Sequence, residues 1–460
     1  MGERAPHLGH THPGTRPGAF AEPSHGFAWL RMIGALVVIY GHSYPLVSGN
    51  EMFPPEWPVQ PDHGLLMGFF AMSGFQITGS WIGDPHPLRF AVKRVLRLWP
   101  PMLSVSLFVA LVLGPMVTTL PLGDYFAARP TWGYVVNNAG MLTLRHHVPG
   151  VFENNPWDGS VNGSLWTLPM ELIAYAGLWV LLLLGAARHR TRWLAPLALV
   201  VLVVVDRRLA HAPGTDTGGS LLSVPVEPLL SFSVAFAIGV VLRLYPVPRS
   251  PLAATSGLLA LAAMPMSEVT SFWMCITVSY AVIVFGHHWP ARASVPGTWV
   301  NGSYGVYVWA FPIQQTLVLA GVGNQWLLLG LAAPIAYVVG TLSWKFVEEP
   351  TMRLRHYLVP HRARSSHRAG ERLGDSSGTP GYARDQASDQ ASGETPTRET
   401  ASPEADSVLG DGPPTEPIHT SLVLPVESAE ERTSPVLPRV PAGEGDGTEG
   451  DAGHRERGQR

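Results

Sequence analysis

The sequence predicts an all-α integral membrane protein: a bundle of about ten transmembrane helices with a disordered cytoplasmic C-terminal tail. Three observations carry that prediction. From Phe27 to Val347, apolar stretches of roughly twenty residues recur with short interruptions, more than the core of a soluble domain would hold. Lys and Arg concentrate in alternate connections between those stretches. Beyond Arg355 the composition turns to Ser, Thr, Gly, Pro, Glu and Asp with few aromatics, as in Gly393-Glu-Thr-Pro-Thr-Arg-Glu-Thr-Ala-Ser-Pro403, which cannot bury enough surface to fold. The expected regions are therefore a disordered N-terminus at 1–26, a transmembrane domain at 27–350 and a disordered cytoplasmic tail at 351–460.

The first segment, 27–47, follows a Gly-, Pro- and His-rich stretch without the apolar region of a cleavable signal, so it directs its own insertion. The second, 64–83, carries Gly68, Ala71, Gly74 and Gly79, small residues that allow a neighbouring backbone to come close. The third is expected at 97–120, behind Arg89, Lys93 and Arg94. The connection Thr118–Gly163 is the longest. Within it, Trp132–Leu142 suits an interfacial helix, and Phe152–Ser160 reads as an ordered loop with aromatic anchors. The remaining segments fall at 163–185, 192–209, 220–243, 251–267, 269–286, 300–321 and 325–347. The fifth ends in Asp206-Arg207-Arg208, and the seventh is short and contains Pro265. Cys275, the single cysteine, excludes an intrachain disulfide and a cysteine zinc site.

Charge position sets the orientation. Arg89, Lys93, Arg94 and Arg97, then Arg188, Arg190 and Arg192, then Arg243 and Arg249, then Arg292 fall in the connections that an inside N-terminus places in the cytoplasm. The first alternate connection holds Glu51, Glu56 and Asp62 and no Lys or Arg. The expectation is a multi-pass plasma-membrane protein with both termini cytoplasmic, and Arg353, Arg355, Arg362 and Arg364 after the last segment agree with it. The net charge of −3 mixes an acidic tail with a basic membrane face and gives no reason to expect nucleic acid.

Four places in the membrane domain carry chemistry. Arg31 and His42 stand eleven residues apart, almost three helical turns, so they share a face at roughly 16 Å along the axis. Ionisable groups at that depth usually mark a functional path; the competing reading is a snorkelling Arg and a capped interfacial His. Arg94 and Arg97, one turn apart at the expected mouth of helix three, suit a phosphate clamp or simple interfacial anchoring beside Trp99. Glu171, two turns into the fourth segment, needs a partner, for which His42 at similar depth is the candidate. Ser73 is a candidate nucleophile or substrate contact with no base nearby in sequence. No metal site is expected, since His7, His10 and His12 lie in a solvated tail.

With these segments in hand, the chain resembles the membrane acyltransferase 3 family of bacterial O-acyltransferases. The resemblance spans most of 27–350. It rests on Arg31 with ten residues before His42, Phe69-Phe-x-x-Ser-Gly-Phe75, the Arg94-x-x-Arg97 pair, Leu165-Trp-x-Leu-x-x-Glu171, Ser303-Tyr-Gly-Val-Tyr-Val-Trp309 and Phe346-Val-Glu-Glu-Pro350. The chain departs from the common family pattern at Ala28-Trp29, where Asp-Gly is usual, and at Leu172, where a second acidic residue is usual.

The resemblance implies that His42 is the catalytic group and that Arg31, Arg94 and Arg97 hold the acyl donor. The implied reaction moves an acyl group, most simply acetyl, from cytoplasmic acyl-CoA as co-substrate, with no tightly bound cofactor, to a hydroxyl of an extracytoplasmic glycan or glycosylated metabolite. The rival reading is a membrane carrier or flippase for a lipid-linked glycan, in which Arg31, His42 and Glu171 line a path without covalent chemistry.

Overall fold

The computed structural model of the protein describes residues 25–157, 159–210, 219–290, 293 and 299–354. The expectations for His7, His10 and His12, for Arg292 and for the tail from 355 onward lie outside them. Each of the ten expected segments carries a helix, but only six of those are long and apolar enough to cross a membrane: Gly26–Ser48, Pro61–Gly83, Pro87–Val117, Gly163–Leu183, Val226–Leu244 and Gln325–Arg353. The other four are too short or too polar to meet that standard by themselves, so the count of ten spans is not reached on length and composition.

The chain opens with α1 (His25–Ser48) and α2 (Pro61–Gly83). Next comes α3 (Pro87–Phe108), which starts ten residues before its expected position. Proline at the first helical position is pre-organised for the turn, and the His86 side chain accepts the Arg89 backbone N–H. Asp84 then holds the Arg89 guanidinium at 2.6 Å and the Lys93 ammonium at 3.3 Å. A polar stretch that reads as a connection is therefore the first turns of a helix. The hydrogen bonds from Arg89, with Lys93 nearby, draw the Asp84 carboxyl down to about 2.

The same rod continues through a π-helical turn (Val109–Leu113) into α4 (Gly114–Val117). The widened turn frees the Ala110 carbonyl, which the Tyr125 hydroxyl fills at 3.0 Å. Short helices α5 (Leu122–Ala127) and α6 (Arg129–Gly140) follow, the second covering the expected interfacial helix. A 3₁₀ turn (Gly163–Trp166) leads into α7 (Thr167–Leu183).

Then come α8 (Leu194–Leu209), the two-residue strands β1 (Ser220–Leu221) and β2 (Val224–Pro225) paired antiparallel, and α9 (Val226–Leu244). The chain goes on through α10 (Pro251–Ala263), α11 (Ser271–His287), α12 (Ser303–Leu319) and α13 (Gln325–Ser343). After α13 a second π-helical turn (Trp344–Glu348) passes into α14 (Glu349–Arg353), so Thr351–Arg353, expected in the tail, continue the last rod. At the end of α8, Asp206 is buried and accepts the Ser231 hydroxyl at 3.0 Å, which explains an acid in that position.

Two glycine contacts set the packing. Along α2 and α9, a Cβ built at Gly74 would strike the Phe236 carbonyl oxygen, and one built at Gly239 would strike that of Ala71. Gly305 of α12 and Gly340 of α13 meet in the same reciprocal way. Without a hydrophobic drive between helices in lipid, such close backbone approach is the main source of association. Gly74→Ala and Gly239→Ala should each destabilise the protein by about 1–3 kcal/mol, read as a lowered thermal midpoint in nanodiscs, whereas Gly177→Ala, where a Cβ meets nothing, should leave it unchanged.

Candidate active site

Arg31 and His42 sit on α1 as its period requires, both buried at 1% and 2% exposure. They belong to two different environments. Arg31 faces the buried charges of other helices: Arg97 of α3 and Glu171 and Tyr175 of α7 are its electrostatic neighbours. Glu171 in turn has Arg97, Arg31 and Arg94 around it. The Tyr175 hydroxyl, one helical turn from Glu171 on the same helix, donates to Glu171 Oε1. Ser73 of α2 donates to the Tyr175 hydroxyl at 3.4 Å rather than to its own helix backbone.

Arg97 is held from the far end of the chain. Its guanidinium lies 5.4 Å from the Trp344 ring, Nη1 reaches the Met352 sulfur at 3.1 Å, and Glu348, buried at 1% exposure in the second π-helical turn, is its carboxylate neighbour. Arg94 lies over the Phe90 ring at 5.8 Å. Because α3 begins at Pro87, both arginines stand two and three turns inside the helix, and both are buried. Three guanidinium groups and two carboxylates thus converge in the fold. Among the described residues, Arg31 Nε and Nη2, Arg97 Nη2, Glu171 Oε2 and both oxygens of Glu348 have no hydrogen-bond partner. Buried polar atoms in that condition are costly, and each calls for a water, an ion, a ligand or a catalytic role to explain it.

The expected His42–Glu171 pair does not form. Neither His42 nitrogen has a hydrogen-bond partner among the described residues, and the ring stands edge-on to Phe311 of α12 with centroids 5.2 Å apart. The reason is the depth at which α7 starts. Residues 159–170 are all buried, so the chain has already descended into the fold when the helix begins, and Glu171 lies level with Arg31. His42 is roughly three turns away along α1, about 16 Å.

Around His42 the fold is bolted by α12. Gln314 donates to the Ile39 carbonyl at 2.8 Å and to Ser43 Oγ at 3.0 Å. One residue on, Gln315 donates to the carbonyls of Trp157 and Ser160, while Asn155 donates to Gln315 Oε1 at 2.7 Å and Asn162 to the Val308 carbonyl at 2.9 Å. The loop expected to be ordered is therefore fastened to the helix that carries Phe311.

A family model described as an acyltransferase domain matches residues 24–347. The chain belongs to the acyltransferase 3 family. Among curated proteins, an O-acetyl transferase of Shigella phage Sf6 is 24% identical over 337 residues, covering 71% of this chain and 95% of the relative. Nodulation protein 10 of Rhizobium leguminosarum bv. viciae is 28% identical over 369 residues, covering 73% of this chain and 95% of the relative. No solved structure matches. The acyltransferase reading of the sequence holds: the protein is an O-acyltransferase with several helices suited to a membrane.

Tyr175, Glu348 and Gln314 are the site residues that sequence reasoning missed. Tyr175 was signalled by its four-residue spacing from Glu171, and Glu348 sits inside a motif that had no assigned chemistry. Tyr175→Phe removes the hydrogen-bond donor to a buried carboxylate and should cost about 1–3 kcal/mol in unfolding free energy, against under about 1 kcal/mol for Ser73→Ala at its longer contact.

A pH test applies to the loop between α6 and α7. Burial pushes His146 down to about 4, although the Asn162 backbone bond opposes this. The folded loop therefore holds fewer protons than the unfolded chain between about pH 6.5 and pH 4, and its stability is lost as pH falls through that window. Hydrogen exchange across 146–162 should quicken at pH 5 relative to pH 7 after correction for intrinsic rates, and His146→Gln should abolish the difference.

Proposed function

We propose that the protein moves an acyl group, most simply acetyl, from cytoplasmic acyl-CoA to a hydroxyl of an extracytoplasmic glycan or glycosylated metabolite. In this reading all ten helices cross the plasma membrane and both termini are cytoplasmic. The observation that carries it is the pairing, on one helix, of an arginine inside a buried cationic cluster with a buried imidazole whose two nitrogens have no hydrogen-bond partner among the described residues.

The chemistry follows from that spacing. Arg94 and Arg97, as planar double donors with Arg31 beside them, bind the donor's phosphates. The pantetheine arm covers the distance along α1 and brings the thioester to His42. His42 takes the proton of the acceptor hydroxyl, or first accepts the acyl group as an acyl-imidazole; in both routes the thioester C–S bond breaks, a C–O bond forms, and the hydroxyl proton ends on the CoA thiol. The name of the phage relative, an O-acetyl transferase, supports acetyl as the group moved.

Purified protein in nanodiscs should release free CoA thiol from acetyl-CoA in the presence of acceptor glycan. His42→Gln should reduce that rate by about 10²-fold or more with the thermal midpoint retained. Arg94→Lys and Arg97→Lys keep the charge but lose the forked donor, and each should raise the donor KM about tenfold with a smaller change in kcat. Full turnover in His42→Gln overturns the mechanism. Glycan movement across the bilayer without thiol release would instead support a carrier.

A further inference from the structure

α7 and α8 both pack on α9, and between them the bundle leaves an apolar groove of about 380 Å³. Of the fifteen residues that line it, only Ser233 carries a polar side chain. Small residues hold it open: a Cβ built at Gly177 of α7 meets nothing within 4 Å, and Ala198 of α8 lines another wall. Phe236 and Ala195 at its floor are buried, whereas Val180, Leu184 and Val201 at its rim are 50%, 63% and 51% exposed. The groove therefore opens on the outside of the bundle. Left empty, it would forfeit dispersion contacts along its whole lining.

Its length sets the class of occupant. On α7 the lining runs from Ile173 to Leu184, roughly 16 Å of helix axis. Half of a hydrocarbon core of about 30 Å is nearly the same depth. A slot without a charged side chain in its lining, one leaflet deep and open along its rim, matches a single extended hydrocarbon chain.

Positive charge gathers at one end of it. Leu184 and Ala195 line the groove and flank the connection from α7 to α8, which is folded by successive turns. The Arg188 N–H donates to the Gly185 carbonyl at 2.8 Å, the Thr191 N–H to that of Arg188 at 3.1 Å, and the Ala195 N–H to that of Arg192 at 3.1 Å. Arg188 and Arg190 of this connection are exposed. The Arg192 guanidinium lies 5.0 Å from the ring of Tyr245, the residue that ends α9, so the connection reaches across the groove's end to its third helix. Beside it Trp193 is 55% exposed, as suits an indole at the headgroup level.

We propose that the groove between α7, α8 and α9 holds one acyl chain of an anionic phospholipid, with Arg188 and Arg190 at its headgroup. The basic side chains attract the charged headgroup, and burial of the chain fixes the lipid in one place. This requires only that α7 and α9 lie in a bilayer, whichever acyl donor the enzyme uses.

Native mass spectrometry of the delipidated full-length protein in detergent, titrated with dioleoyl phosphatidylglycerol or dioleoyl phosphatidylcholine, tests this. The wild type should bind one phosphatidylglycerol about tenfold more tightly than phosphatidylcholine. The double variant Arg188→Gln/Arg190→Gln should bring phosphatidylglycerol to the level of phosphatidylcholine. Gly177→Phe and Ala198→Phe, which fill the groove, should each weaken both lipids about tenfold or more with the thermal midpoint retained. Equal affinity of the wild type for the two lipids overturns the proposal, and that comparison decides it even where a variant fails to fold. Phosphatidylglycerol binding untouched by both phenylalanine variants also overturns it, since the headgroup is then held without the groove. So does a wild-type dimer that binds no lipid and falls apart in those variants, because a second copy of the chain then fills the slot.

Discussion

The rest of the structure depends on one electrostatic constraint: guanidinium groups cannot be buried among membrane-spanning helices without anions close by. Arg31, Arg94 and Arg97 meet that constraint through Glu171, delivered by α7, and Glu348, delivered by the last turn of the final rod. The cluster gathers these three guanidinium groups around the two carboxylates. It also ties α1, α3, α7 and the end of α13 into one unit, because moving any of them would strand a charge.

The backbone accommodates this arrangement at particular points. Both π-helical turns lie on rods that serve the site: the first lets Tyr125 cap α3, and the second turns Trp344 and Glu348 toward Arg97. Glycine pairs at Gly74–Gly239 and Gly305–Gly340 bring helices into backbone contact, and Gly79 does the same for an arginine side chain. At the other end of α1, Gln314 and Gln315 lock α12 to both α1 and the loop before α7, so His42 sits in a firm frame although its own nitrogens have no hydrogen-bond partner among the described residues.

Much of the fold was legible in the sequence because hydrophobic length and helical period are local properties. All ten expected segments carry helices, and the small residues of α2 do permit close packing. The span count was less legible, since α8 and α10–α12 fall below the length of a free-standing span. The start of α3 was missed because capping by His86 and the Asp84 bridges outweigh the polarity of the stretch. The disposition of Glu171 was missed because the buried run 159–170 gives no signal of depth in its composition.

By itself the sequence determined which residues carry charge into the membrane and, through the fixed rise of a helix, that Arg31 and His42 share one face at a set distance. Only the tertiary structure decided their partners. Pairing depends on how deep each helix starts and which backbone can approach which, and those are long-range packing outcomes. That is why Glu171 stands with the arginines and His42 stands apart from both.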